Sequence, residues 1–396
     1  MNKSFSFCLF FILSMGFSHS QNNHWRVELS LNDRLRLPFL LEQKSDGALY
    51  SIRNGAEQIQ LITTPKDNDS IRMDFLEMDS YLMICMDTLK NFRGYWKNNI
   101  KNQLIPLQGT FNDSLRFPST NNLKPQQVSK KYKVLFSVNE DPWPAVGLFE
   151  QNGESVNGTF LTETGDFRFL SGNVYGNELF LSCFDGSHAF VFTAKINGIN
   201  LLGRFYSGSS YQTDWEGVAD ENVELKSPSE LTYIVDSSYD LDQISLRTLC
   251  GRKTIIGSLK SPITLIQIMG SWCPNCLDET NYYKSLYQKY KESGLEIKSI
   301  GFEYGSTRRV QRKKLKRFVK RAKIPYPVYL GGKASKKLAS ALFPMLNEIS
   351  SFPTTLFVNN RGEIIYVHTG FNGPGTGMYF EEYKKETEDI IENLLN

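Results

Sequence analysis

The sequence has too few cysteine and histidine residues, and too wide a spacing between them, for a structural zinc site. Six cysteines and four histidines occur in 396 residues. Cys273 and Cys276 form the one closely spaced pair. The three other cysteines beyond residue 20 and the four histidines are scattered along the sequence: Cys85, Cys183, Cys250, His19, His24, His188 and His368. A four-ligand zinc site would need a second pair, so the sequence predicts no metal and no other cofactor.

A strong charge excess is also missing. The formal net charge is +3, which is too small to argue for a nucleic-acid partner. Ten Lys or Arg residues do fall in one run, 308–323, and we interpret this run as the solvated face of a helix. Hydrophobic residues make up 40% and charged residues 22%, as in ordinary soluble globular proteins. A chain of 396 residues is too long for one core, so two or three domains are expected.

No hydrophobic run is long enough to anchor the chain permanently in a bilayer. Lys3 precedes a mostly apolar stretch of 13 residues, Phe5–Phe17, which is shorter than a membrane span. Small residues then flank His19, a pattern typical of a secretory signal, residues 1–20, with cleavage after Ser20. We therefore expect an exported protein, most simply periplasmic, without membrane contact once the signal is removed.

Export would leave five cysteines in the mature chain, in a compartment where disulfides persist. An odd number means that at least one thiol is unpaired or pairs with another molecule. Cys85 and Cys183 lie in apolar, strand-like runs, so we expect both to be buried and unreactive.

Residues 21–226 show the pattern of an antiparallel β-rich domain, a sandwich or a barrel. Short apolar runs recur about every ten residues. Four Asn-Gly pairs predict hairpin turns: Asn54-Gly55, Asn152-Gly153, Asn157-Gly158 and Asn197-Gly198. A polar break near 120–131 divides this half into two subdomains. Asp185 and His188 could suggest acid–base chemistry, but a turn explains them more simply, so we interpret this half as a scaffold or recognition module.

After a polar linker at 227–242 the pattern changes to an α/β domain, residues 243–396. Strands are predicted at 262–269, 295–302, 327–330, 354–359 and 363–369, and helices at 275–292, 307–323, 334–343 and 379–395. Strands that alternate with helices indicate a sheet covered on both faces.

The pair Cys273 and Cys276 lies where this domain passes from a buried strand into a helix. Gly270 and Ser271 end the apolar run, and Pro274 suits the first turn of the helix that follows. Exposed amides and the positive end of the helix dipole would stabilise a thiolate at Cys273. Strand, turn and helix around Cys-x-x-Cys indicate a redox motif. Cys273 precedes the helix and should be the more exposed thiol.

These residues resemble the thioredoxin superfamily and, within it, the exported TlpA/ResA-like thiol–disulfide oxidoreductases. The resemblance covers about 240–396 and depends on the segments Trp272–Cys276 and Ser351–Thr355. It implies a redox-active disulfide between Cys273 and Cys276, in which Cys273 attacks and Cys276 resolves. It also implies a cis peptide bond at Pro353, which faces the disulfide.

The resemblance adds substrate-binding and proton-transfer roles. Trp272, Phe352 and Pro353 would bind an incoming substrate chain, with the backbone of Phe352 pairing with it. Glu279 matches an acidic residue beside the active site that could relay a proton, although a solvated helix carboxylate is an equal alternative. Gln267 occupies the place of thioredoxin's buried aspartate, and this departure argues against thioredoxin itself.

The expected function is therefore reduction of disulfides in client proteins, as part of cell redox homeostasis. The implied partners are cysteine-containing clients and an upstream thiol electron donor. Two alternatives stay open. A peroxiredoxin-like peroxidase would need a Thr-x-x-Cys setting with a nearby arginine, whereas Cys273 follows Gly270-Ser271-Trp272. A binding protein would use the β-rich half to capture a ligand or partner.

Overall fold

The computed structural model describes residues 23–44, 49–67, 69–119, 123–239, 241, 244–256, 259 and 261–395. The expected signal segment, 1–20, lies outside the described residues. The first domain is a closed, antiparallel, up-and-down barrel of β1–β8. Its strands are β1 Asn23–Ser30, β2 Arg36–Gln43, β3 Tyr50–Asn54, β4 Glu57–Asp67, β5 Ser70–Phe75, β6 Ser80–Met86, β7 Phe92–Asn98 and β8 Gln103–Phe111.

The barrel closes because alternate residues along each strand are apolar and point into its interior. In β1, Trp25, Val27 and Leu29 are at most 1% exposed, and the residues between them are half-buried. Strand β1 pairs with β2 on one side and with β8 on the other, which closes the ring.

The second domain is also closed by hydrogen bonds between strands. Strand β9 pairs with β10 and β17, and β10 pairs in turn with β11. Its strands are β9 Lys131–Phe136, β10 Trp143–Asn152, β11 Ser155–Thr162, β12 Gly165–Asp166, β13 Leu170–Tyr175, β14 Glu178–Phe184, β15 Ala189–Asn197, β16 Asn200–Ser207 and β17 Tyr211–Ala219. The short β12 folds back on β11. The predicted β-rich half is thus confirmed as two barrels.

Aromatic side chains fill the second barrel. Phe136, Phe160 and Trp215 are at most 1% exposed, and their rings lie 5.2–6.0 Å apart. Phe160 makes edge-to-face pairs with the other two rings, and such pairs stabilise a core beyond simple burial. The barrel has its own core cluster, separate from the cluster shared by the first barrel and the C-terminal domain.

Phe184, at the end of β14 in the second barrel, joins the two barrels. Its ring lies 4.6 Å from that of Phe39, 5.7 Å from Phe75 and 5.0 Å from Trp96, all in the first barrel. Asn54 also donates a hydrogen bond to the Phe184 carbonyl at 3.0 Å. A fully buried aromatic ring held in the neighbouring core makes independent movement of the two barrels costly.

The third domain is a seven-stranded mixed sheet with helices, in the order β19-β18-β22-β21-β20-β23-β24. Its strands are β18 Ser245–Thr248, β19 Lys253–Ile255, β20 Ile263–Met269, β21 Leu295–Glu303, β22 Val328–Lys333, β23 Thr354–Asn359 and β24 Ile364–Thr369. The helices are α1 Pro228–Leu231, α2 Pro274–Tyr290, α3 Arg308–Ala322, α4 Lys336–Leu342 and α5 Met378–Leu395. Among the helices in the described ranges, none has the length and apolar composition needed to cross a membrane.

Every residue of the interior strand β20 is buried, because helices cover both faces of the sheet. Helix α3 packs through Leu315, Phe318 and Ala322, which are buried. The sequence analysis did not anticipate strands β18 and β19. The segment predicted as a linker also packs on this domain: Ile234 forms a β-bridge with Leu346.

Two local predictions in the β-rich half were wrong. Asn157-Gly158 lies inside β11 instead of a turn, and a Cβ on Gly158 would approach the Leu148 carbonyl oxygen to 2.2 Å. Glycine is therefore required there by the close approach of a neighbouring strand. Cys85 is exposed, because its neighbours Leu82 and Ile84 take the inward positions of β6.

Candidate active site

Cys273 occupies the N-cap position of helix α2, with Pro274 in the first turn. Its sulfur accepts a hydrogen bond from the Cys276 amide, with an N–Sγ distance of 3.3 Å. The sulfur therefore lies at the positive end of the helix dipole, within hydrogen-bond distance of a backbone amide. Cys273 is 8% exposed and Cys276 is fully buried, so only the first sulfur can meet an incoming disulfide.

Cys276 lies beneath Cys273 and is chemically protected. Burial raises the pKa of the Cys276 thiol well above its usual value, and the neighbouring Cys273 acts in the same direction. Cys276 will therefore stay protonated until a proton acceptor or the mixed disulfide changes its surroundings.

The segment around Pro353 lies against the first sulfur. The Phe352–Pro353 bond is cis, as the resemblance implies. The Cys273 sulfur lies 3.5 Å from the Phe352 carbonyl oxygen, to which the thiol donates. The Trp272 ring packs against Phe352 at 5.6 Å, and its indole N–H donates to the Phe302 carbonyl at 2.9 Å. The residues predicted to bind substrate thus surround one sulfur.

Glu279 is fully buried behind Cys276, which rules out the alternative of a solvated helix carboxylate. Its carboxylate accepts hydrogen bonds from Gln267 at 2.8 Å, Thr355 at 3.1 Å and Tyr283 at 3.2 Å. Tyr383 donates a further bond at 3.2 Å. Burial outweighs these donors and raises the pKa of Glu279 to about 7.

Gln267 connects this carboxylate to the cysteine helix. Its amide nitrogen lies 3.4 Å from the Cys276 carbonyl oxygen as well as 2.8 Å from Glu279, and its oxygen accepts from Ser299 at 2.7 Å. An amide cannot exchange a proton at neutral pH, so Gln267 orients Glu279, and Glu279 is the group that can titrate.

Glu303, at the end of β21, is a second buried carboxylate near the motif, and the sequence analysis missed it. It accepts hydrogen bonds from the backbone N–H and the hydroxyl of Ser271, both at 2.8 Å. Burial raises the pKa of Glu303 to about 7. Glu303 therefore holds the turn that leads into Trp272 and Cys273.

A cavity of about 900 Å³ opens over Cys273, and all three domains line it. The first barrel contributes the turn between β7 and β8, and the second barrel contributes several loops at one end. The C-terminal domain contributes Trp272, Cys273, Asn275, Tyr304 and Phe352. The N-terminal half is thus part of the site, which sequence reasoning did not predict.

The 163–168 loop of the second barrel rests directly on the active-site segments. Ser351 donates to the Thr164 carbonyl at 2.9 Å, and the Asn275 amide lies 3.4 Å from the Asp166 carbonyl oxygen. The Asp166 carboxylate accepts the Gly373 amide at 2.6 Å. Burial raises the pKa of Asp166. The loop is therefore fixed to the C-terminal domain by hydrogen bonds on three sides.

Arg168, in the same loop, connects all three domains. Its guanidinium pairs with Glu57 of the first barrel at 2.6 Å, with Asp185 of the second barrel at 3.2 Å, and with Asp278 of helix α2. Arg168 is 7% exposed and has a φ of 59°, although the sequence around it looks like a strand. Nothing in the local pattern marks it, because its partners are distant in sequence.

Two of the carboxylates that pair with this cation, Asp278 and Asp185, differ in their affinity for protons. Burial raises the pKa of Asp278 to about 7, against the opposing charge of Arg168. Burial also acts to raise the pKa of Asp185, but His188 and Arg168 outweigh it and hold that pKa well below its usual value. The carboxylates in turn hold the pKa of Arg168 well above its usual value, even though burial alone would lower it.

Asp185 and His188 form the turn that the sequence predicts, and they also contribute to the site. The Asp185 carboxylate accepts the amides of Ser187 at 2.8 Å and His188 at 2.6 Å, and it lies 3.1 Å from Nδ1 of His188. The Ser187 hydroxyl lies 3.5 Å from the Trp272 carbonyl oxygen, and His188 lines the cavity. This turn therefore carries the wall opposite Cys273.

The remaining cysteines lie outside the cavity lining. All five cysteines of the described chain are free thiols; Cys183 is buried, and Cys85 and Cys250 are exposed. Burial raises the pKa of Cys183 well above its usual value, as expected of an unreactive thiol. Within the described ranges no group of three His, Cys, Asp or Glu side chains is arranged to hold a metal ion.

The C-terminal part of the chain is similar to known proteins. It matches the Redoxin family over residues 237–385. Over 125 residues it is 28% identical to the thiol-disulfide oxidoreductase ResA of Halalkalibacterium halodurans, covering 32% of this chain and 64% of that protein. The ResA of Bacillus cereus strain ATCC 10987 is 27% identical over 138 residues, covering 34% and 69%.

Among solved structures, StoA of Bacillus subtilis is 21% identical, with a TM-score of 0.26 and coverage of 36% of this chain and 94% of that one. The chain spans about two thirds of the length of the curated relatives, 64% and 69%. The part of this chain that follows the two barrels, residues 237–385, is a Redoxin domain.

Proposed function

We propose that this protein is an exported thiol–disulfide oxidoreductase that reduces disulfides in client proteins. One observation carries the proposal: at the bottom of a cavity, the Cys273 sulfur lies 3.3 Å from the Cys276 amide nitrogen at the start of α2. A partly accessible sulfur at a helix N-terminus, with a buried thiol one turn behind it, suits attack followed by resolution. The thiol-disulfide oxidoreductase relatives support this assignment.

The reaction would proceed in two exchanges. The Cys273 thiolate attacks one sulfur of the client disulfide, a mixed disulfide forms, and the other client sulfur leaves as a thiolate. Cys276 then loses its proton and attacks the Cys273 sulfur, which releases the second client thiolate and forms the Cys273–Cys276 disulfide. We assign acceptance of the Cys276 proton to Glu279, the buried carboxylate whose charge also acts to raise the pKa of that thiol. An upstream thiol donor restores the dithiol.

The Cys variants test this assignment. We expect Cys273→Ser to react with no model disulfide, and Cys276→Ser to accumulate one stable mixed disulfide per chain, detected as an added mass that dithiothreitol removes. Cys250→Ser is the matched control, because that thiol is exposed and lies outside the cavity lining. Full turnover by Cys273→Ser, or a Cys276→Ser protein that carries no adduct on Cys273, would refute the proposal.

Direction and location need separate measurements. A reduction potential of the 273–276 pair near −270 mV, that of thioredoxin, would support a reductase, whereas about −120 mV would indicate an oxidant. The first residue of the mature protein, determined after expression with the full leader, tests cleavage after Ser20. Rapid consumption of hydrogen peroxide in the presence of a dithiol would instead favour a peroxidase.

A further inference from the structure

The wall that faces Cys273 belongs entirely to the two barrels. It includes the 98–103 turn, the 162–167 loop, the turn at Ser187 and His188, and Ser210. Cys273 itself is only 8% exposed. A disulfide can therefore reach the sulfur only by entering the space between this wall and the Redoxin domain.

The size of the space limits what can enter. A volume of about 900 Å³ lies within the range of pockets that bind small ligands, roughly 300–1,000 Å³. Two folded proteins that associate stably bury about 800 Å² on each partner, usually across a broad surface. A folded client would thus meet the barrels before its disulfide met Cys273, whereas a single extended segment can enter.

The lining indicates the chemistry of that segment. Six aromatic side chains face the space: Trp143, Phe167, Phe190, Trp272, Tyr304 and Phe352. The charged side chains of the lining are mixed in sign, with Lys101 against Glu163 and Asp166. This lining suits apolar and aromatic side chains. It offers no basic cluster for a highly anionic disulfide such as oxidised glutathione.

The wall is also held in place. The 163–168 loop is tied to Ser351, Asn275 and Gly373, and Arg168 pairs with carboxylates from all three domains. A buried ion pair inside such a hydrogen-bonded network resists displacement, because opening it would leave uncompensated charge. The barrels therefore act as a fixed boundary of the site.

From this arrangement we propose that the interdomain cavity is the client site, and that it accepts an extended, unfolded peptide segment with apolar or aromatic residues beside its disulfide cysteine. The two barrels exclude folded proteins and low-molecular-weight anionic disulfides. This inference rests on the proposed oxidoreductase function and names its substrate class.

The experiment compares three disulfides with the reduced, full-length mature protein in single-turnover reactions. The first is a flexible peptide of about ten residues, with aromatic residues around one cysteine. That cysteine is joined to a second thiol compound in a mixed disulfide. The second is oxidised glutathione, and the third is a stable folded domain with a surface disulfide. We expect the peptide to react about tenfold or more faster than either of the others, since only it gains contacts with both walls.

Variants of the wall sharpen the test. Ser210→Trp places an indole in the cavity from the barrel side, far along the chain from the cysteines, and should slow the peptide reaction about tenfold. Ser155→Trp is the matched control, because Ser155 is exposed at the opposite end of strand β11 from the cavity-lining Thr162. Gln103→Trp fills the cavity from the first barrel and serves if Ser210→Trp does not fold.

The outcomes separate the inference from the function beneath it. If both cavity variants react with the peptide as fast as Ser155→Trp, or if the folded domain or glutathione reacts as fast as the peptide, the inference is overturned while the oxidoreductase stands. If the wild-type protein reduces none of the three disulfides, the proposed function fails as well.

Discussion

The two walls of the cavity over Cys273 differ in how the chain builds them. The Redoxin wall comes largely from two short segments, Trp272–Cys276 and Ser351–Thr355, each readable as a motif. The barrel wall is assembled from loops scattered between Asn98 and Ser210, none of which has a recognisable chemical signature. The reactive chemistry is therefore local in sequence, whereas access to it is a property of the whole fold.

The walls also differ in how they are stabilised. Backbone hydrogen bonds and a buried sheet hold the cysteines, so most of that wall is internal to one domain. The barrel wall depends on contacts between domains, above all on Arg168 and its three carboxylates. Substitutions should therefore affect the two walls in separable ways.

The largest effect is expected from removing the ion pairs that hold the barrel wall in place. Arg168→Ala leaves Glu57, Asp185 and Asp278 without their shared cation, and breaking a buried pair in this way costs about 3–5 kcal/mol. We expect urea unfolding, followed by tryptophan fluorescence, to give a lower midpoint and a free energy of unfolding reduced by that amount. Arg204→Ala, an exposed arginine on β16, is the control. Equal midpoints for the two variants would mean that the interdomain cluster contributes little.

The next effect concerns the Redoxin wall and depends on pH. The folded-state pKa of Glu303 is raised to about 7 from a usual value of 4.5. The folded protein therefore binds one more proton than the unfolded chain between these values, and its stability falls as pH rises from about 4.5 to about 7. Glu303→Gln should remove about 3 kcal/mol of that decline.

Unfolding free energies measured from pH 4.5 to pH 8 will check this prediction. Glu296→Gln, half-exposed on the same strand, is the control. If the pH dependence of Glu303→Gln matches the wild type, Glu303 does not titrate in this range, and its contribution to the turn at Ser271 is not electrostatic.

A smaller effect is expected on the rate at which Cys276 resolves the mixed disulfide. This rate reports on proton transfer within the site and not on entry of the client into the cavity. Above pH 7 Glu279 is ionised and can accept the Cys276 proton, and below pH 7 it is protonated. The resolution step should therefore accelerate as pH rises through 7. Glu279→Gln should lose this rise and resolve about tenfold to a hundredfold more slowly at pH 8.

The measurement is the decay of a preformed mixed disulfide on Cys273, followed by mass spectrometry across the pH range. Glu292→Gln, an exposed carboxylate just after α2, is the control. A profile for Glu279→Gln that still rises through pH 7 would assign proton acceptance to another group.

The smallest effect lies where the two walls meet. Ser351→Ala removes the hydrogen bond to the Thr164 carbonyl, worth about 1 kcal/mol. We expect a slightly lower unfolding midpoint and a smaller ratio of peptide to folded-protein rates, because the loop loses one of its ties. Ser293→Ala, on the exposed turn after α2, should change neither value. An unchanged rate ratio in Ser351→Ala would show that this bond does not restrict access.

The parts predicted well are those whose causes act over a few residues. Alternation of apolar residues indicated strands in the N-terminal half, and Asn54-Gly55, Asn152-Gly153 and Asn197-Gly198 do connect consecutive strands, with a positive φ at each glycine. The turn predicted at Asn157-Gly158 was wrong because the close approach of a paired strand also requires glycine, and local sequence does not distinguish the two requirements. The prediction that Cys85 is buried was wrong because the inward or outward direction of its side chain depends on the register of β6.

Short-range backbone geometry and periodicity are enough to predict the Cys-x-x-Cys pair, the helix start beside it, the antiparallel strands of the N-terminal half and the covered sheet. The closing of the barrels over the sulfurs, the position of Arg168 among three domains and the burial of Glu279 and Glu303 could not be predicted, because they depend on which separate segments of the chain meet. Arg168 bonds to Glu57 and Asp278, each more than a hundred positions away, and no local pattern encodes such a contact.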